Sequence, residues 1–168
     1  MIHRAGAAAA IAAFLCCIVP AQAQSVRLVG DFRDWSAYSA AEGAGQICFV
    51  LTKPLEVNPT PDGYGQAYLY LTNRPAESVR NEFNLVAGFA FAPDQPATIS
   101  VSGQAFELFT ENDAAWLPDP AQGNNLASAI RAGSPLVVDG TSAAGLRIQQ
   151  IYSLSGATAP TRAIEGGC

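Results

Sequence analysis

Ala97-Thr98-Ile99-Ser100-Val101-Ser102-Gly103-Gln104-Ala105-Phe106-Glu107-Leu108-Phe109-Thr110 runs apolar and polar residues in alternation on both sides of one glycine. In an extended chain successive side chains point to opposite faces. Ala97, Ile99 and Val101 therefore share an inward face, Thr98, Ser100 and Ser102 an outward one, and Phe106 and Leu108 resume the inward phase after Gly103. The stretch predicts a β-hairpin turning at Gly103.

The same period of two recurs on either side. Ile47, Phe49 and Leu51 alternate with Cys48, Val50 and Thr52, both sets largely apolar, as in a strand covered on two sides. Over 66–72, Tyr68 and Tyr70 oppose Ala67, Leu69 and Leu71. Shorter strands are expected over 26–29, 35–40, 81–87, 136–139 and 146–154, the last with a bulge near Gln149-Gln150, where Gln150 interrupts the phase of Leu146, Ile148, Tyr152 and Leu154. Between them lie turn clusters such as Asn58-Pro59-Thr60-Pro61-Asp62-Gly63 and Leu117-Pro118-Asp119-Pro120. Two short helices are expected. Leu126, Ala129 and Ile130 mark one over 125–132, stopped by Gly133; Ala163 and Ile164 are the inward residues of another over 159–165. Many short strands with few helical interruptions predict an all-β fold, an antiparallel β-sandwich or barrel-like sheet with one or two short helices.

The amino terminus reads as a secretory leader. Met1, His3 and Arg4 precede an apolar run from Ala5 to Val19, and Ala21-Gln22-Ala23 matches a cleavage site before Gln24. That gives a signal peptide over 1–23 and one domain over 24–168. At about 15 residues the apolar run is shorter than the roughly 20 needed to cross a bilayer as a helix. Phe14-Leu15 ahead of Cys16 argue against lipid attachment there.

Cleavage removes His3, Cys16, Cys17 and Met1, so the mature chain keeps Cys48 and Cys168, a single lysine (Lys53) and no histidine. Two cysteines in an oxidising compartment point to a Cys48–Cys168 disulfide, with a free thiol or an intermolecular bond as the alternative. In the chain-entropy picture, closing a loop of about 120 residues contributes roughly 4–5 kcal/mol.

Chemistry is narrowly bounded by this inventory. Without imidazole there is no Ser-His-Asp or Cys-His arrangement, and two thiols alone build no zinc centre. Lys53 reads as a solvated amine at a strand end, and no phosphate-binding glycine motif is present, so no cofactor is expected. The 9 basic and 14 acidic residues give a net charge of -5, and the cations are scattered, which argues against nucleic-acid binding. Carboxylates remain: Asp31 with Asp34, and Glu111, Asp113 and Asp119. They sit among turn formers, where acidic residues commonly face water. The same residues with Asn112 lack the spacing of a calcium loop. No catalytic, cofactor or metal residue is therefore assigned. Tyr68, Tyr70 and Trp116 admit two readings: an aromatic recognition surface, or a half-buried aromatic strand with Trp116 plugging the core beneath Leu117-Pro118, the second being the simpler.

Phe32-Arg33-Asp34-Trp35-Ser36-Ala37-Tyr38, followed in order by Gln46-Ile47-Cys48-Phe49, Ala67-Tyr68-Leu69-Tyr70-Leu71, Ala115-Trp116-Leu117-Pro118 and Tyr152-Ser153-Leu154-Ser155-Gly156, resembles the invasion-associated locus B family over nearly the whole mature chain. Arg33 stands where the family often has glycine and Ser39 where many members have cysteine, and the middle cysteine pair is missing. The resemblance implies a reduced, two-cysteine variant of a small exported β-protein of alphaproteobacterial type, with no catalytic residues to carry over. The expected function is a periplasmic or secreted, non-catalytic protein acting through contacts with an envelope or host-surface component. A small-ligand carrier with an apolar cavity, or a carboxylate-based hydrolase, is the alternative.

Overall fold

The computed structural model describes residues 25–166 apart from 44 and 134. The leader, Gln24 and Cys168 thus lie outside the described residues. Among the described residues eleven strands form: β1 (Arg27–Phe32), β2 (Trp35–Glu42), β3 (Gly45–Thr52), β4 (Pro54–Asn58), β5 (Tyr68–Arg74), β6 (Val79–Val86), β7 (Ala97–Val101), β8 (Gln104–Glu111), β9 (Ala114–Trp116), β10 (Leu136–Thr141) and β11 (Arg147–Tyr152). Two helices, α1 (Gly123–Ala132) and α2 (Thr158–Glu165), complete the set.

All pairings are antiparallel, in the order β1-β2-β3-β5-β6-β9-β8-β7-β10-β11-β4. The corner is β8. Its first half, Gln104 to Leu108, pairs with β7, and its second half, Phe109 to Glu111, pairs with β9. One long strand therefore turns a single ladder back over itself, giving an all-β, barrel-like curl with apolar residues inside.

The expected hairpin is present, with Ala97, Ile99, Val101, Phe106 and Leu108 buried and Ser102 and Gly103 turning at positive φ. In β3 the inner phase is Cys48, Val50 and Thr52; in β5 it is Leu69, Leu71 and Asn73. Three details differ from the sequence reading. Strands β4 and β9 were not anticipated: β4 opens on a proline and β9 has only three residues, so neither shows sustained alternation. Gln150 does not break the phase of its strand but lies inside it, between Ile148 and Tyr152, and the ladder with β10 is regular. Its amide donates to Ala87 O at 2.7 Å and Tyr64 Oη at 3.1 Å, and Tyr152 Oη donates to Gln150 Oε1 at 3.2 Å. With its hydrogen bonds made, a polar side chain is tolerated where an apolar one was expected. Burial raises the Tyr152 phenol well above its ordinary value and keeps it a donor. Finally, α2 buries Pro160, Thr161 and Ile164 while Ala163 faces water.

Trp35 is fully buried, and its Nε1 donates to Ser153 O at 2.9 Å, fastening the first hairpin to the chain after β11. The helices close one end of the curl. Asn73, buried in β5, donates through Nδ2 to Ile164 O at 2.6 Å and accepts from Asn81 N at 2.6 Å. Asn81 holds φ at 50° and reaches Asn124 Oδ1 at 2.8 Å, docking the start of α1. Arg131 of α1 pairs with Glu165 of α2 at 2.7 Å.

At the ends of the sheet, β1 carries a bulge between Leu28 and Gly30 and leaves Leu28 and Val29 exposed, with Val26 exposed just before it. Strand β4 begins at Pro54.

Replacing Trp35 by Ala is expected to cost about 3–5 kcal/mol in denaturant unfolding. Gly123 opens a helix, where Ala is ordinarily favoured, but a Cβ there would meet Asn81 O at 2.3 Å. Gly123→Ala should therefore destabilise, by about 1–3 kcal/mol in the same assay, instead of stabilising.

Candidate functional site

The alternation that fills the core leaves the opposite phase of the same strands on the outer surface. On β2, β3, β5, β6, β9 and β8 that phase places Tyr38, Phe49, Tyr70, Asn84, Trp116 and Phe109 side by side. The ladder lines them up: Tyr38 opposite Phe49, Tyr70 opposite Asn84, Asn84 opposite Trp116, and Trp116 opposite Phe109. Phe49 meets Tyr70 diagonally, with ring centroids 6.2 Å apart. Leu28 stands opposite Tyr38 and extends the band onto β1.

The rings form two stacks. Tyr38 and Phe49 lie 5.3 Å apart and 15° from parallel, with Tyr70 and Tyr68 continuing the group at an inclination. Phe109 and Trp116 lie 5.3 Å apart at 21°. Between the stacks the only side chain in the row is Asn84.

Polar groups surround this interruption. Arg74 on β5 is ion-paired with Glu82 on β6. Asn84 Nδ2 reaches Ala115 O at 3.5 Å, a marginal bond. Lys53 lies 5.3 Å above the centre of the Tyr68 ring, and Tyr68 Oη donates to Gln66 Oε1 at 3.1 Å. Burial, and to a lesser degree the Tyr68 phenol, raise the Tyr70 hydroxyl above its ordinary value, so it stays protonated at neutral pH.

Two hollows open on this face. One, of about 370 Å³, is walled by Phe49, Tyr70 and Trp116 over Thr72, Glu82 and Asn84. The other, of about 330 Å³, lies beyond Trp116 among Phe109, Glu111, Leu117, Pro118 and Pro120. Trp116 and Glu82 line both, so the two hollows adjoin on either side of the indole.

Tyr68 and Tyr70 are half-buried as the alternation implies, but Trp116 does not plug the core. Ala115 and Leu117 take the buried phase on either side, which turns the indole outward onto Phe109. Tyr38, Phe49 and Phe109 were missed as partners. Each occupies the phase opposite the core residues of a strand that was recognised, and only the strand order shows that those phases meet. The carboxylates are dispersed. Asp31 accepts from Ser36 Oγ at 2.6 Å beside the first hairpin turn and Asp119 caps Ala121 N at 2.9 Å; of the carboxylates singled out in the sequence Glu111 alone lines either hollow, with Glu82 beside it.

Cys48 is fully buried on the inner face, directly opposite Asn73, the residue that holds Ile164 O. Its expected partner, Cys168, lies outside the described residues. Among the described residues no cluster of three or more metal-ligating side chains is present, and no helix is long and apolar enough to cross a membrane.

The two tryptophans should be separable in solution. In Trp116→Phe, the remaining Trp35 emission should be blue-shifted and protected from acrylamide, whereas Trp35→Phe should leave a red-shifted, readily quenched indole.

No family model matches this chain, and neither a curated protein nor a solved structure matches it.

Proposed function

We propose that this chain is an exported, non-catalytic protein of the invasion-associated locus B type that works by contact between its outer aromatic face and a component of the cell envelope or a host surface. One observation carries the reading: a row of aromatic side chains crosses neighbouring strands on the outside of the sheet, where folding alone requires no such concentration of rings. Contiguous exposed apolar surface on a soluble domain commonly marks an interaction site. Tyr and Trp are suited to that role because they combine large area with a polar tip.

The Cys48–Cys168 bridge belongs to the same proposal. It is supported by the position of Ile164, four residues before Cys168, whose carbonyl is bound by the residue paired with Cys48. Export supplies the oxidising conditions under which such a bridge persists.

Two measurements test this reading. Cys48→Ser and Cys168→Ser should each lower the melting temperature relative to wild type without reductant, and the difference should vanish in reduced samples; equal melting points in oxidising buffer would remove the staple. Immobilised mature protein should retain an envelope component that Trp116→Ala and Tyr70→Ala release, while Leu146→Ala, exposed and remote from the band, retains it. Undiminished capture by the two aromatic variants would rule out the outer face as the contact surface.

A further inference from the structure

The aromatic row is interrupted at one place, and the interruption is built like a slot. Tyr70 on β5 and Trp116 on β9 stand on either side of Asn84 on β6. Two inter-strand spacings put their attachment points roughly 9–10 Å apart. A ring inserted between two walls needs van der Waals separation of roughly 3.5–4 Å on each side, about 7–8 Å in all. Trp116 is nearly parallel to Phe109 behind it, so its second indole face is turned along the row toward Asn84 and Tyr70. Tyr70 lines the opposite side of the same hollow, itself inclined against Phe49 and Tyr68.

The floor and rim of the slot are polar. Asn84 Oδ1 carries no hydrogen bond among the described residues, and its Nδ2 is weakly engaged. Thr72, Arg74 and Glu82 border the same hollow of about 370 Å³, within the range of roughly 300–1,000 Å³ typical of small-molecule sites. The charges at its rim cancel, because Arg74 is paired with Glu82. An anionic ligand would compete with Glu82 for Arg74 and meet Glu111 in the adjoining hollow, and a cationic one would compete with Arg74 for Glu82. An uncharged ligand leaves the pair intact.

From the reading of the outer face as a contact surface, we propose that the Tyr70–Asn84–Trp116 slot binds a neutral pyranose unit of a glycan chain. A pyranose has apolar C–H faces for the two aromatic walls and a perimeter of hydroxyls for an amide, a hydroxyl and an ion pair. The adjoining hollow lies past Trp116 toward Pro118 and Pro120, so further sugar units of the same chain follow the row. A flat aromatic side chain from a protein partner would fill the walls but leave the polar rim unanswered.

The test uses the mature protein with cellohexaose and chitohexaose as probes. Added up to about 10 mM, beyond the millimolar end of small-ligand affinities, one or both should shift amide resonances of β5, β6 and β9, including the Asn84 side-chain amide, and change Trp116 emission. Asn84→Phe fills the gap and continues the ring stack, so it should stay folded and lose at least tenfold in affinity. Trp116→Ala should lose at least as much. In the envelope capture, retention should survive proteolysis of the extract and disappear after periodate oxidation. Absence of any shift with both probes, or equal affinity in Asn84→Phe, overturns the sugar assignment. Retention lost to proteolysis and unaffected by periodate also overturns it and identifies a protein partner, with the outer-face reading intact. Capture unaffected by Trp116→Ala would instead remove that reading itself.

Discussion

One buried amide holds the closed end of this fold. Asn73 sits inside the sheet, gives its N–H to the last turn of α2 and takes the backbone N–H of Asn81. A carbonyl near a helix end and an N–H at a strand irregularity are each costly when buried without a partner. Asn73 satisfies both with a single side chain. The positive φ of Asn81 aims its own amide at Asn124, so α1 is seated by the same arrangement. With both helices fixed, the inner residues of β2, β3 and β5 are sealed and the outer residues of the same strands are left to face water.

That division gives the molecule two aromatic populations. Trp35 is enclosed and bonded to Ser153 O, so it serves packing. Trp116 is stacked on Phe109 outside, with Ala115 and Leu117 occupying the interior on its behalf. Cross-strand ring pairs contribute about 0.5–1.5 kcal/mol beyond area burial, so the outer stacks also stiffen the sheet. On either side of Asn84, Trp116 is stacked on Phe109 and Tyr70 leans on Phe49.

Much of this was legible in the sequence. Strict alternation in 97–110 identified a core hairpin and its inner face; 47–52 and 66–72 were legible as strands, but the two-sided cover expected of 47–52 gives way to one buried phase, Cys48, Val50 and Thr52, with Ile47, Phe49 and Leu51 half-exposed. The hairpin at Gly103 and the stop at Gly133 followed from turn chemistry. Three residues of β9 and the proline-led β4 carry too little pattern to be recognised locally; they exist because neighbouring strands offer them a ladder. Gln150 was misread because alternation scores polarity, whereas burial tolerates an amide whose partners come from Tyr64, Ala87 and Tyr152. The aromatic row was half legible: the phase of each ring could be read strand by strand, but the strand order that joins Phe49 to Tyr70 and Trp116 to Phe109 is a property of the folded sheet.

The two terminal strands bear on how molecules of this kind coexist at high density. A regular edge is a template onto which another chain can add, and the exposed Leu28 and Val29 of β1, with Val26 just before it, would encourage it. The extra residue at Val29 throws that edge out of step, and the proline at the head of β4 withholds a donor from the other. Both margins of the sheet are thereby made poor seeds for fibre growth.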